Sequence, residues 1–175
     1  MKWMSLIKDA FVMSLTVEVT TSEDLFLTNR VSETADDVVQ EEDIPEPALL
    51  QAWAAAAYLD DVPAVASVLV TTPEEMQQLN KQYRGKDQAT NVLSFPMQSP
   101  EEVDLYLLGD LVLCASVIKQ EAEQQKKSEM SHWAHMVVHG MLHLQGYDHM
   151  ENEEAEEMEK LEASILNQLG FGDPY

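Results

Sequence analysis

The stretch Ser128-Glu129-Met130-Ser131-His132-Trp133-Ala134-His135-Met136-Val137-Val138-His139-Gly140-Met141-Leu142-His143-Leu144-Gln145-Gly146-Tyr147-Asp148-His149 sets the architecture of the C-terminal half of the chain. It predicts one long helix from Glu129 to Leu144, closed near Gly146, a residue suited to the left-handed position after a helix C-terminus. All five histidines of the chain lie in it. At about 100° per residue, His139 and His143 stand about 40° apart around the helix and about 6 Å apart along it, so both imidazoles reach one metal ion. On a continued helix His149 would lie about 9 Å further along the axis, out of reach. The turn Gly146-Tyr147-Asp148 folds the chain back and lets His149 approach the same ion from a loop.

Spacing alone leaves a second pair open, because His135 and His139 are also four residues apart, and proximity to the turn is what favours His143. Three nitrogen ligands without a fourth side chain form the pattern of a catalytic zinc, whose open position holds water at a pKa lowered to about 7. Asp148 is a candidate acceptor for the ring N–H of a metal-bound histidine, or an ordinary acidic turn residue. His132 and His135 are expected to hydrogen-bond locally on the helix face or to sit behind the metal ligands, and Asp148 and His135 are candidate bases. Gly140 stands where the H-E-x-x-H motif of zinc peptidases carries its glutamate, which argues against that class. A glycine there suits either a bulky substrate beside the metal or close helix packing.

Outward from this segment, the period-two alternation of Leu15, Val17 and Val19 predicts a first strand. A leader over 1–14 is expected to be poorly ordered, and 15–175 to form a single domain interrupted by an acidic excursion over 21–46. Pro47 opens a helix with Leu50, Trp53, Ala54 and Ala57 on one face, and Val65 to Val70 is a short β-branched strand. Thr72-Pro73-Glu74-Glu75 is a helix start with Thr72 as N-cap and Glu75 completing a capping box; Met76, Leu79 and Tyr83 are expected to face inward. Strands follow at Asn91 to Phe95 and Leu107 to Cys114, then a helix from Ser116 to about Gln125. A last helix runs from about Asn152 to Leu169, with Met158, Leu161, Ile165 and Leu169 on one stripe. The sum is an α+β domain with a small mixed four-stranded sheet, about five helices and a metal site in a cleft.

The 175 residues carry 32 Asp plus Glu against 10 Lys plus Arg, a net charge of −22. A uniform charge of that sign would repel nucleic acid and anionic lipid. The distribution is not uniform: residues 81–127 hold 6 cations and 7 acids, whereas 128–175 hold 1 and 10. The single cysteine, Cys114, sits in apolar sequence and excludes an intrachain disulfide. No segment approaches the ~20 apolar residues of a membrane span, and a cytoplasmic protein is expected. Lys81, Arg84 and Lys86 make the one locally positive spot. Arg84 offers a planar fork for phosphate oxygens; alternatively, these cations only offset a helix dipole.

At these residues the sequence resembles the YbeY family of bacterial metal-dependent endoribonucleases. The resemblance rests on Tyr83-Arg84-Gly85-Lys86-Asp87 leading to Thr90-Asn91-Val92-Leu93-Ser94-Phe95, on Leu108-Gly109-Asp110-Leu111-Val112, and on the run from His139 to His149. It implies zinc on His139, His143 and His149, with Arg84 at the functional arginine position and Arg84, His139 and His143 as the catalytic set. It further implies cleavage of single-stranded RNA in ribosomal RNA maturation, notably at the 3′ end of the small-subunit RNA, and a role in ribosome quality control. Lys81, Arg84 and Lys86 are then the expected RNA contacts, and a ribosome or small-subunit protein the expected partner. Two alternatives stand beside this reading: a zinc hydrolase acting on another substrate, and a ribosome-assembly module whose metal only braces the fold.

Overall fold

The computed structural model describes residues 15–23, 44–97, 106–148 and 152–175. The expected leader, most of the acidic excursion and His149 lie outside the described residues. Within them the order is β1 (Leu15–Thr21), α1 (Pro47–Ala57), β2 (Ala64–Thr71), α2 (Pro73–Arg84), β3 (Val92–Pro96), β4 (Tyr106–Cys114), α3 (Ala115–Gln125), α4 (Glu129–Leu144) and α5 (Asn152–Gln168). The strands form one sheet ordered β1-β2-β4-β3. The β1/β2 and β2/β4 pairs are parallel, and β3 lies antiparallel to β4 at the edge. This is the mixed α+β architecture that the sequence predicts.

Alternation explains β2, where Ala64, Ala66, Val68 and Val70 enter the main core and Leu69 turns to the other face. It does not explain β4, where Leu108, Leu111 and Leu113 all enter the same core. The β2/β4 register shifts between Val65 and Ala66, so that β4 advances from Leu107 to Gly109 and leaves Leu108 as the extra residue. A bulge of this kind reverses which parity faces the core. Gly109 makes it possible: its φ is +138°, and a Cβ there would stand 2.3 Å from the Phe95 carbonyl oxygen.

Helices α1 and α4 cover the main core face, and α5 adds Met158, Ile165 and Leu166 to it. The opposite face carries a smaller core of Met76, Leu93, Val112 and Cys114 beneath α2. Helix α2 begins as expected, with the Thr72 hydroxyl accepting from the Glu75 N–H at 3.2 Å. One expectation for α2 fails. Tyr83 does not face inward but is 60% exposed, because β3 is the edge strand and no element among the described residues covers the ring from beyond it. It meets Phe95 edge-on instead, with ring centroids 5.0 Å apart, and Asn80 takes the buried position.

Gly140 is the point of closest approach between α4 and the sheet. A Cβ there would stand 2.1 Å from Leu111 Cδ1 and 3.1 Å from Val92 Cγ2. Of the two roles open to this glycine, the structure supports close packing. Gly140→Ala should therefore cost about 1–3 kcal/mol in urea unfolding. The Glu75 carboxyl is held below its ordinary 4.5 by hydrogen bonds from the hydroxyls of Thr71 and Ser22. A depressed carboxylate contributes stability above its unfolded pKa and loses it as pH falls through the folded one. Stability should thus drop below about pH 4.5 more steeply in the wild type than in Glu75→Gln, as acid titrations of thermal unfolding would register.

Candidate metal centre

Helix α4 positions the histidines. Ser128 caps its start, its hydroxyl accepting from the Ser131 N–H. Gln145 secures its end: the side-chain amide donates to the carbonyls of Ala57 and Met141, and its oxygen accepts from the Leu59 N–H. With Trp133, Val137, Met141 and Leu142 locked in the core, His139 and His143 emerge half-buried on one flank. Their Nε2 atoms face each other at 3.1 Å.

The partners of the other ring nitrogens determine what that approach means. A carbonyl oxygen can only accept, so His143 Nδ1, 2.8 Å from the Tyr147 oxygen, carries the proton and donates. His139 Nδ1 lies 2.6 Å from Glu162 Oε1 and donates to it. Burial alone would raise the Glu162 carboxyl. The hydrogen bonds it accepts outweigh that and hold it at about 2. His135, whose Nε2 lies 3.6 Å from Oε2, contributes most to that lowering, ahead of the His139 N–H and the Tyr175 hydroxyl. With Nδ1 carrying a proton on both rings, Nε2 is the atom that each imidazole would offer to a metal in its neutral form. Two nitrogens on one tetrahedral zinc stand about 3.3 Å apart, close to the separation seen here, and the donor set fits such an ion.

Spacing did not choose between the two histidine pairs, and the structure gives each a neighbour. His135, His139 and Glu162 offer ligand atoms all within 4.8 Å of one another, a cluster able to hold a metal. His135 is 9% exposed, and neither of its ring nitrogens makes a hydrogen bond among the described residues. His132 bonds not along its own helix but across to α3, its Nε2 lying 2.8 Å from Glu121 Oε2. Burial would raise the Glu121 carboxyl, but His132 and the Asn91 amide bring it below the ordinary range. Asp148 is exposed, and the Nδ1–H groups of His139 and His143 go to Glu162 and Tyr147.

The cationic residues lie across the edge strand from the histidines. Ser94 of β3 donates to the Gly140 carbonyl at 3.1 Å on the α4 side, while the neighbouring Phe95 meets Tyr83 on the α2 side. Arg84, next to Tyr83, is exposed and forms no ion pair among the described residues, and Lys86 is exposed too. Lys81 donates to Asp87 at 2.6 Å, an exposed pair of small energetic weight. On another side, a cavity of about 510 Å³ lined by Leu59, Asp60, Asp61, Gln145 and Tyr147 adjoins the residue that receives His143 Nδ1–H.

Sequence reasoning missed Glu162, Glu121, Gln145 and Tyr175. One signal was present for the first: Glu162 falls on the stripe of Met158 and Ile165, a lone acid among apolar positions of α5.

The model of the family described as "Endoribonuclease YbeY" matches residues 28–170. This chain belongs to the YbeY endoribonuclease family. It is 54% identical over 135 residues to the endoribonuclease YbeY of Idiomarina loihiensis, spanning 75% of this chain and 83% of that protein. Family membership makes the chain a nuclease that acts on RNA phosphodiester bonds. The solution structure of TM1509 from Thermotoga maritima is 21% identical, with a TM-score of 0.47 over 89% of this chain and 92% of that one. Among the described residues no helix is long and apolar enough to cross a membrane.

The Glu121 contact has a measurable weight. Glu121→Ala leaves the buried His132 without its acceptor and should cost about 1–3 kcal/mol in chemical denaturation.

Proposed function

We propose that this endoribonuclease holds one zinc ion on His139, His143 and His149 and cuts single-stranded RNA during ribosomal RNA processing. The observation that carries this reading is the pair of Nε2 atoms facing each other at 3.1 Å, each ring held in orientation by a bond at Nδ1. When bound, the zinc would supply a water of lowered pKa and positive charge beside the scissile phosphate. The protein does the rest. His143 and His139 are kept from rotating by Tyr147 and Glu162. Arg84 offers paired N–H donors to phosphate oxygens as their charge grows.

Charge supports the direction of approach. Asp60 and Asp61 at the cavity disfavour a phosphate chain on that side, whereas the β3 edge presents Arg84 and Lys86, with Lys81 nearby. Tyr83 and Phe95 add an aromatic surface beside those cations. The proposed setting is the cytoplasm, with the 3′ end of the small-subunit RNA as substrate, a ribosome or small-subunit protein as partner, and ribosome quality control as a further role.

In a test combining elemental analysis with cleavage of a labelled single-stranded RNA, His143→Ala should lose both zinc and activity. Arg84→Ala should keep its zinc and lose activity by about 10²–10³-fold. Undiminished cleavage by His143→Ala after exhaustive chelation would refute the reading.

A further inference from the structure

We propose that Glu162 is the positioning residue of the metal centre, its carboxylate steering His139 from behind rather than binding the ion. The inference rests on the reading that His139 and His143 hold the metal. Glu162 is fully buried, at 0% exposure, on a stripe of α5 otherwise filled by Met158, Ile165 and Leu166. A buried carboxylate is costly, and an apolar residue at such a position is often neutral or stabilising, so a charge there calls for a specific task. Its two oxygens are differently engaged. Oε1 accepts from His139 Nδ1 at 2.6 Å, and Oε2 accepts from the hydroxyl of Tyr175, whose ring also lies edge-on to His135 with centroids 5.6 Å apart.

A direct ligand role for Glu162, with His135 and His139, fits this geometry less well. The 2.6 Å separation from Nδ1 is that of a charge-assisted hydrogen bond with a proton between the atoms. Two ligands of one tetrahedral ion, each about 2.0–2.2 Å from it, stand more than 3 Å apart. Nδ1 and Nε2 also leave the imidazole on different edges, so a carboxylate bound at Nδ1 does not share an ion with the Nε2 pair. What Glu162 does is hold the ring in the tautomer and orientation that presents Nε2 to His143. Carboxylates placed in this way typically contribute 10–100-fold to metal affinity. Tyr175 acts one step further out by fixing the second oxygen.

The test measures zinc affinity by competition with a chromophoric chelator, and metal content per chain at saturation, on the full chain. Glu162→Ala should bind zinc about 10–100-fold more weakly yet still saturate at one ion. Glu162→Gln should lose less, because its amide oxygen still accepts from Nδ1–H, and Tyr175→Phe less again. In cobalt-loaded protein, the exchangeable ring N–H resonance of His139 should persist in Glu162→Gln and vanish into solvent exchange in Glu162→Ala. If Glu162→Ala does not fold, Glu162→Gln and Tyr175→Phe still carry the measurement. His143→Ala sets the scale for loss of a true ligand. Wild-type affinity in both Glu162 variants, with His143→Ala unable to bind, would overturn the positioning role alone. A loss in Glu162→Gln as deep as in His143→Ala, shared by His135→Gln, would make Glu162 a ligand and overturn it too. Tight zinc binding by His143→Ala would overturn the underlying metal reading.

Discussion

The approach of α4 to the sheet at Gly140 governs the geometry of everything around it. With no side chain in the way, the helix backbone comes close enough for Ser94 Oγ to reach the Gly140 carbonyl, and Leu111 and Val92 fill the space a Cβ would need. Once Gly140 points at the sheet, helical periodicity places His139 about 100° and His143 about 60° away on the same flank. Both rings then leave the core at one edge with their Nε2 atoms together. A residue of ordinary size at 140 would lift the helix and move both rings at once, so the packing constraint and the site geometry are one constraint.

Along that flank the histidines of α4 form a row tied down by carboxylates from neighbouring helices. Glu121 of α3 takes His132, and Glu162 of α5 takes His139. Both acids are drawn below the ordinary carboxylate range despite burial that opposes it, which means that the hydrogen bonds they accept exceed the desolvation they suffer. Such pairs rarely maximise stability, and their value lies in a fixed tautomer and a fixed ring angle. The far end of the row, at His139 and His143, is the candidate metal centre.

The net charge of −22 looks hostile to RNA until it is placed in space. Acids line the cavity beside Tyr147 and the outer face of α5, while Arg84 and Lys86 sit at the end of α2 beyond the edge strand. Their positions follow from topology: β3 closes the sheet on one side, so the helix end that precedes it is left open to solvent. The exposed ring of Tyr83 stands beside those cations, apart from the acids of α5 and of the cavity.

Local pattern was enough to reveal most of the elements. Alternation marked β1, a β-branched run marked β2, the Thr72-Pro73 start marked α2, and the run from Glu129 to Leu144 marked α4 at the bounds observed. The four-residue spacing of His139 and His143 likewise announced that the two rings would meet, because helix geometry is determined by short-range hydrogen bonding. Other features depended on residues far apart in sequence. The bulge at Leu108 arises from pairing with β2, the exposure of Tyr83 from its place at a sheet edge, and the packing role of Gly140 from the Leu111 side chain. Glu162 and Tyr175 come to His139 only because α5 packs back onto α4. The sequence by itself determined which helix carries the candidate metal-ligating histidines, since that is a matter of local periodicity. Which histidine faces which, and what holds each ring, was decided by tertiary structure, because those contacts form between elements that meet only when the core closes.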